Sequence, residues 1–158
     1  MNDISLVEFI KKSPKAELHL HIEGTLEPEQ MFTLAKKNNI QIPFKNINEA
    51  KKAYNFSNLE SFLKIYYEGA KVLLKEEDFF ELTWAYVLKC KKDNIVHTEI
   101  FFDPQTHTNR GISFDIIING IYKALKKAEK EFGLSFKIIM CFLRHLSEDE
   151  CFKILDQA

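Results

Sequence analysis

Three stretches with strand character, separated by long helical segments, predict an α/β protein built on a parallel sheet. The stretches are Glu17–Ile22, Ile95–Phe102 and Phe136–Leu143. Composition supports a packed interior. Hydrophobic residues make up 46% of the 158 and fourteen are Phe, enough to bury a core and to set disorder aside. The length suits one domain, and no linker, internal repeat or low-complexity stretch divides it.

The elements follow in order. Ser5 with Glu8 three residues on is a capping box for a short opening helix, which Pro14 ends. Glu17 to Ile22 alternate polar and apolar, the period of a strand. Pro28 suits the first turn of a helix running towards Asn38. Ser57 and Glu60 form another capping box, and Leu59, Phe62, Leu63 and Tyr66 share a face of the helix that follows. A longer helix fits Glu76 to about Lys92, with Phe79, Phe80, Leu82, Trp84, Val87 and Leu88 available for burial. Ile95–Phe102 is the second strand. Ser113 caps a helix that runs to Phe132 and stops at Gly133. Phe136–Leu143 is a buried strand, and Ser147 with Glu150 caps the last helix. The long, helix-rich gap between the first two strands reads as an insertion that walls or covers a pocket.

Several function classes drop out. A formal net charge of -1, from 22 basic and 23 acidic residues, gives no polycationic surface for nucleic acid or for a polybasic membrane contact. Cys90, Cys141 and Cys151 are odd in number and widely spaced, which argues against a disulfide framework and against a Cys-based zinc site. The N-terminus mixes Asp3, Glu8 and Lys11 with its apolar residues and does not read as a signal peptide. No run approaches the roughly 18 apolar residues of a membrane span. A cytoplasmic protein is expected.

The chemistry concentrates in Glu17-Leu18-His19-Leu20-His21-Ile22-Glu23-Gly24-Thr25. Strand residues two apart share a face, so Glu17, His19, His21 and Glu23 are expected to point one way and Leu18, Leu20 and Ile22 the other. Two imidazoles one pleat apart can reach one divalent cation, and imidazole suits zinc. Flanking carboxylates at Glu17 and Glu23 would serve as acceptors for ligating histidines. Gly24 would let the backbone pass close to a ligand. His21-Ile22-Glu23 also fits half of the cytidine-deaminase zinc signature, but the P-C-x-x-C half is missing. His145-Leu146-Ser147-Glu148 is read as a helix start, not as a ligand and acid pair. His97 and His107 have no partner that the sequence names.

Pro14 to Leu26, with its Glu-Leu-His-Leu-His-Ile-Glu-Gly-Thr core, resembles the opening motif of the adenosine and adenine deaminase family. Glu99-Ile100-Phe101-Phe102-Asp103-Pro104-Gln105-Thr106-His107-Thr108-Asn109-Arg110-Gly111 is similar to the second-strand region of the adenine deaminase branch. Cys141-Phe142-Leu143-Arg144-His145-Leu146-Ser147 resembles its third-strand end. The resemblance implies a (β/α)8 barrel, of which residues 1–158 would be the N-terminal part: about three βα units with a helical insertion after the first strand. It implies zinc on His19 and His21, and a small purine substrate near Glu23, Gly24, Phe62 and Asp103. Glu23 fits the adenine branch, since the adenosine branch carries Asp there. The general-acid Glu and the remaining metal ligands would lie in a C-terminal part with no counterpart here, so the chain alone is expected to be inactive and to need a complementary C-terminal chain. Adenosine deamination, or a non-catalytic half-barrel, are the alternatives.

Overall fold

The computed structural model describes residues 5–158, so Asp3 lies outside the described residues. Within them, three parallel strands in the order β1 (Lys15–His21), β2 (Ile95–Phe102) and β3 (Ser135–Met140) form one sheet. The helices are α1 (Leu6–Lys12), α2 (Pro28–Asn38), α3 (Ile47–Ala53), α4 (Leu59–Ala70), α5 (Glu76–Lys92), α6 (Pro104–Thr108), α7 (Phe114–Phe132) and α8 (Glu148–Leu155). A 3-10 turn, Ile22–Thr25, follows β1 directly. Among the described residues no helix is long and apolar enough to cross a membrane.

One sheet face carries the core. Along β2 the even residues Thr98, Ile100 and Phe102 are buried, while His97, Glu99 and Phe101 on the other face are only partly covered. Helices α5 and α7 pack on the buried face, bringing Phe79, Leu82 and Val87 against Ile117, Ile121 and Leu125. Their backbones approach closely at Gly120. A Cβ there would stand 2.4 Å from the Glu76 carbonyl oxygen and 2.6 Å from Phe79 Cβ.

The insertion between β1 and β2 is tied down by a buried carboxylate. Asp78 Oδ2 accepts the Leu74 and Lys75 N–H groups at the start of α5 and the Asn38 amide at the end of α2. An acid suits a helix N-terminus, and here it also joins two elements.

Several sequence expectations need correction. Helix α4 is capped by Asn58 and Ser61 in a reciprocal capping box, not by Ser57 and Glu60. This shifts the entry by one residue and leaves Leu59 exposed. Leu88 is exposed on α5 instead of buried. The third strand stops at Met140, because residues 141–147 turn away into a loop. The caps at Ser5, Ser113, Gly133 and Ser147 stand where the sequence put them.

Gly120→Ala is expected to lower stability by about 1–3 kcal/mol, since backbone and not a flexible side-chain tip blocks the new methyl. Thermal unfolding of the two proteins checks this.

Candidate active site

The parallel strands all end at the same rim, and the groups with chemistry gather there. Glu17 pairs with Thr98, but Leu20 pairs with Ile100, so three steps along β1 match two along β2. The extra residue is a bulge, which breaks the simple alternation. Glu17 therefore turns to the helix side of the sheet, where its carboxylate accepts the Tyr86 hydroxyl at 2.8 Å. It does not share a face with the histidines and cannot support them as a carboxylate partner. His19, within the bulge, and His21, after it, do lie together. Their ring centroids are 5.9 Å apart, and both pack against Phe101 from the neighbouring strand. Two imidazoles side by side at a strand end are the donor type that zinc takes.

Glu23 leaves the strand altogether. The 3-10 turn carries it beneath the rim, 3% exposed, instead of onto the histidine face. Its Oε1 accepts the Asp103 N–H at 3.0 Å and His107 Nε2 at 3.1 Å, and Oε2 lies 3.1 Å from the Tyr66 hydroxyl. Arg110 fixes the tautomer of His107. A guanidinium only donates, and Nη2 sits 2.9 Å from His107 Nδ1, so Nδ1 accepts and Nε2 carries the proton given to Glu23. Arg110 also donates to the carbonyls of Ala70, Lys71 and Leu73 at the end of α4.

Two carboxyl groups thus meet at one hydroxyl. The Tyr66 oxygen is 2.6 Å from Asp103 Oδ2, and Asp103 Oδ2 is 3.3 Å from His21 Nδ1. Burial raises the pKa of Asp103, and the negative charge of Glu23 raises it further. Burial also works against ionised Glu23, yet hydrogen bonds from His107 and the Asp103 amide hold its pKa below the ordinary carboxylate value. The neighbours are driven apart, so Glu23 stays charged while Asp103 takes a proton more readily. Burial, then the two carboxylates, keep the Tyr66 phenol protonated.

Beside this cluster lies a cavity of about 390 Å³ lined by Leu20, His21, Gly24, Phe62, Leu63, Tyr66, Tyr67 and Asp103. Apolar and aromatic walls with a few convergent polar atoms are the usual make-up of a small-molecule site. A larger hollow of about 720 Å³ lies along Glu17, Tyr54, Tyr86 and Lys89, away from the histidines. The smaller one holds the chemistry. Of the residues singled out from sequence, His21, Gly24, Phe62 and Asp103 line it, His19 adjoins it, and Glu23 sits behind Tyr66 with its carboxylate taken by protein donors. Sequence reasoning missed the roles of His107 and Arg110. His107 lies on α6 and Arg110 in the turn just after it, and their closeness in sequence was the available signal.

Residues 14–158 match the family model described as adenosine deaminase. The chain belongs to the adenosine deaminase family. Among curated relatives, the adenine deaminase of Wolinella succinogenes is 67% identical over 154 residues, covering 98% of this chain and 46% of that protein. The adenine deaminase of Acinetobacter baylyi is 61% identical over 151 residues, covering 96% and 46%. A solved adenine deaminase from Arthrobacter aurescens superposes with a TM-score of 0.88 at 46% identity, over 91% of this chain and 44% of that one. An amidohydrolase from Burkholderia ambifaria with bound zinc shares the fold, with a TM-score of 0.81 at 22% identity over 98% of this chain and 43% of that one. The chain spans somewhat under half the length of these relatives. Its sheet corresponds to part of a deaminase barrel, as expected from the motifs.

Glu23→Gln is expected to cost about 1–3 kcal/mol, because the new amide would set an N–H against buried donors. The pH dependence has a definite sign. A folded pKa below the unfolded value gives stability that is present above the unfolded value, near 4.5, and lost as pH falls through the folded one. The Glu23→Gln protein should therefore show less acid-induced loss below that value in denaturant titrations across pH.

Proposed function

We propose that this chain supplies the metal-binding strand and the aromatic half of the purine pocket of an adenine deaminase. The overall reaction is hydrolytic: water and adenine give hypoxanthine and ammonia, with the ring carbon exchanging its amino group for oxygen. The observation that carries the reading is the pair of imidazoles at the strand rim, opening beside a cavity of aromatic walls. The names of the relatives support adenine as the substrate.

His19 and His21 would hold the zinc. Zinc bound there would supply a water acidic enough to act as a nucleophile near neutral pH. Phe62 and Tyr66 would cover the purine faces and exclude bulk water from the reacting carbon. Gly24 leaves the pocket wall thin where the backbone passes. Asp103 would offer a carboxyl group at the pocket wall to a ring nitrogen or the amino group of the purine. Glu23 would act behind this layer, fixing Tyr66 and the Asp103 amide rather than touching the purine. Two imidazoles make an incomplete zinc site, since a catalytic zinc usually has three protein ligands and a water. Turnover is therefore assigned to the chain completed by a C-terminal portion, and none to this chain alone.

The test is complementation. This chain would be assayed by itself and mixed with the remaining portion of the Wolinella succinogenes adenine deaminase, following hypoxanthine by chromatography. The expected result is no turnover alone and deamination of adenine in preference to adenosine when complemented. His19→Ala or His21→Ala should reduce that activity beyond the about 10–100-fold typical of losing an outer partner of a metal ligand. Preference for adenosine would overturn the substrate assignment, and robust turnover by the chain alone would overturn the shared-site reading.

A further inference from the structure

The rim carries a second combination of metal-binding atoms. His21 at the end of β1, Asp103 just after β2 and Cys141 just after β3 each offer one ligand atom, and these atoms all lie within 4.8 Å of one another, with His21 Nδ1 3.3 Å from Asp103 Oδ2. The parallel register produces this convergence. His21 stands opposite Phe101, Phe102 stands opposite Met140, and the Cys141 N–H donates to the Phe102 carbonyl at 2.9 Å. Each strand therefore delivers one donor at the same height, although the three residues are far apart in the chain. Asp103 is buried while His21 and Cys141 are half-buried, so the spot is partly shielded and still reachable from solvent. The Tyr66 hydroxyl, bonded to the same Asp103 oxygen, orients that carboxylate from outside the cluster.

One imidazole, one carboxylate and one thiol suit zinc or cobalt, and not magnesium or calcium. A tetrahedral ion with bonds of about 2.0–2.3 Å keeps its ligand atoms roughly 3.3–3.8 Å apart. Closing the cluster onto one ion takes at most about 1 Å of movement for any pair of ligand atoms. We propose that this chain by itself holds one divalent transition-metal ion through His21, Asp103 and Cys141, with the Cys141 sulfur as a ligand. Binding forms the sulfur–metal bond and releases the thiol proton to solvent. His21 belongs both to this set and to the two-imidazole pair. The sulfur ligand tells them apart, and neither deaminase activity nor a completing chain is needed to see it.

Cobalt(II) serves as the probe for the reduced, metal-free 158-residue chain. One equivalent should bind with a sulfur-to-cobalt charge-transfer band in the near ultraviolet. The band should persist in Cys151→Ser and vanish in Cys141→Ser, and Asp103→Asn should weaken binding by about tenfold or more. In the unaltered chain, zinc should slow alkylation of Cys141 by at least about tenfold, because a coordinated sulfur is withdrawn from attack, while Cys151 is unaffected. That second measurement does not depend on any variant folding. Cobalt binding without a sulfur band, unchanged in Cys141→Ser and lost in His19→Ala, would assign the ion to the imidazole pair and overturn the proposal. Equal alkylation of Cys141 with and without zinc would overturn it as well.

Discussion

The pocket floor depends on the buried carboxylate of Glu23. It takes donors from three separate elements: the Asp103 amide after β2, the His107 ring on α6 and the Tyr66 hydroxyl on α4. A charge this deeply buried is tolerable only when nearly every lone pair is met. The converse also holds, since each donor would be stranded without the carboxylate. One side chain thus obliges the end of a strand, a short helix and the aromatic wall to meet in a single arrangement.

The bulge in β1 plays a complementary part. Without the extra residue, strict alternation would send Glu17 and the two histidines to the same side. With it, Glu17 meets Tyr86 on the helix side while His19 and His21 reach the rim next to Phe101. A single inserted residue separates a structural carboxylate from the histidine pair, and such irregularities are common beside active sites.

Much of this was legible in the residues. Strand β2 and helix α7 have the bounds that periodicity and capping gave them, because their patterns are long and their caps unambiguous. The start of α4 was harder. Ser57…Glu60 and Asn58…Ser61 are both acceptable capping pairs one residue apart, and the path of the entering chain decides between them. The apolar run at the end of β3 extended the strand too far. Leu143 is held outside the sheet by Gln105, whose side-chain oxygen accepts the Leu143 N–H at 2.8 Å across 38 residues. The histidine pair and its link to a family were plain from the motif. The neighbours of Glu23 were not, because a 3-10 turn leaves no periodic signature and His107 lies 84 residues away.

Arg110 gives the arrangement a longer reach. Its guanidinium spans the carbonyl end of α4 and the far nitrogen of His107, so one cation neutralises a helix terminus and polarises an imidazole at once. The ring between Arg110 and Glu23 works as a spacer, keeping opposite charges close enough to stabilise each other without direct contact. The helix that walls the cavity and the anion beneath it are consequently one electrostatic unit. Any motion that drew the last turn of α4 away from Arg110 would be felt at the Asp103 amide, on the far side of the pocket floor.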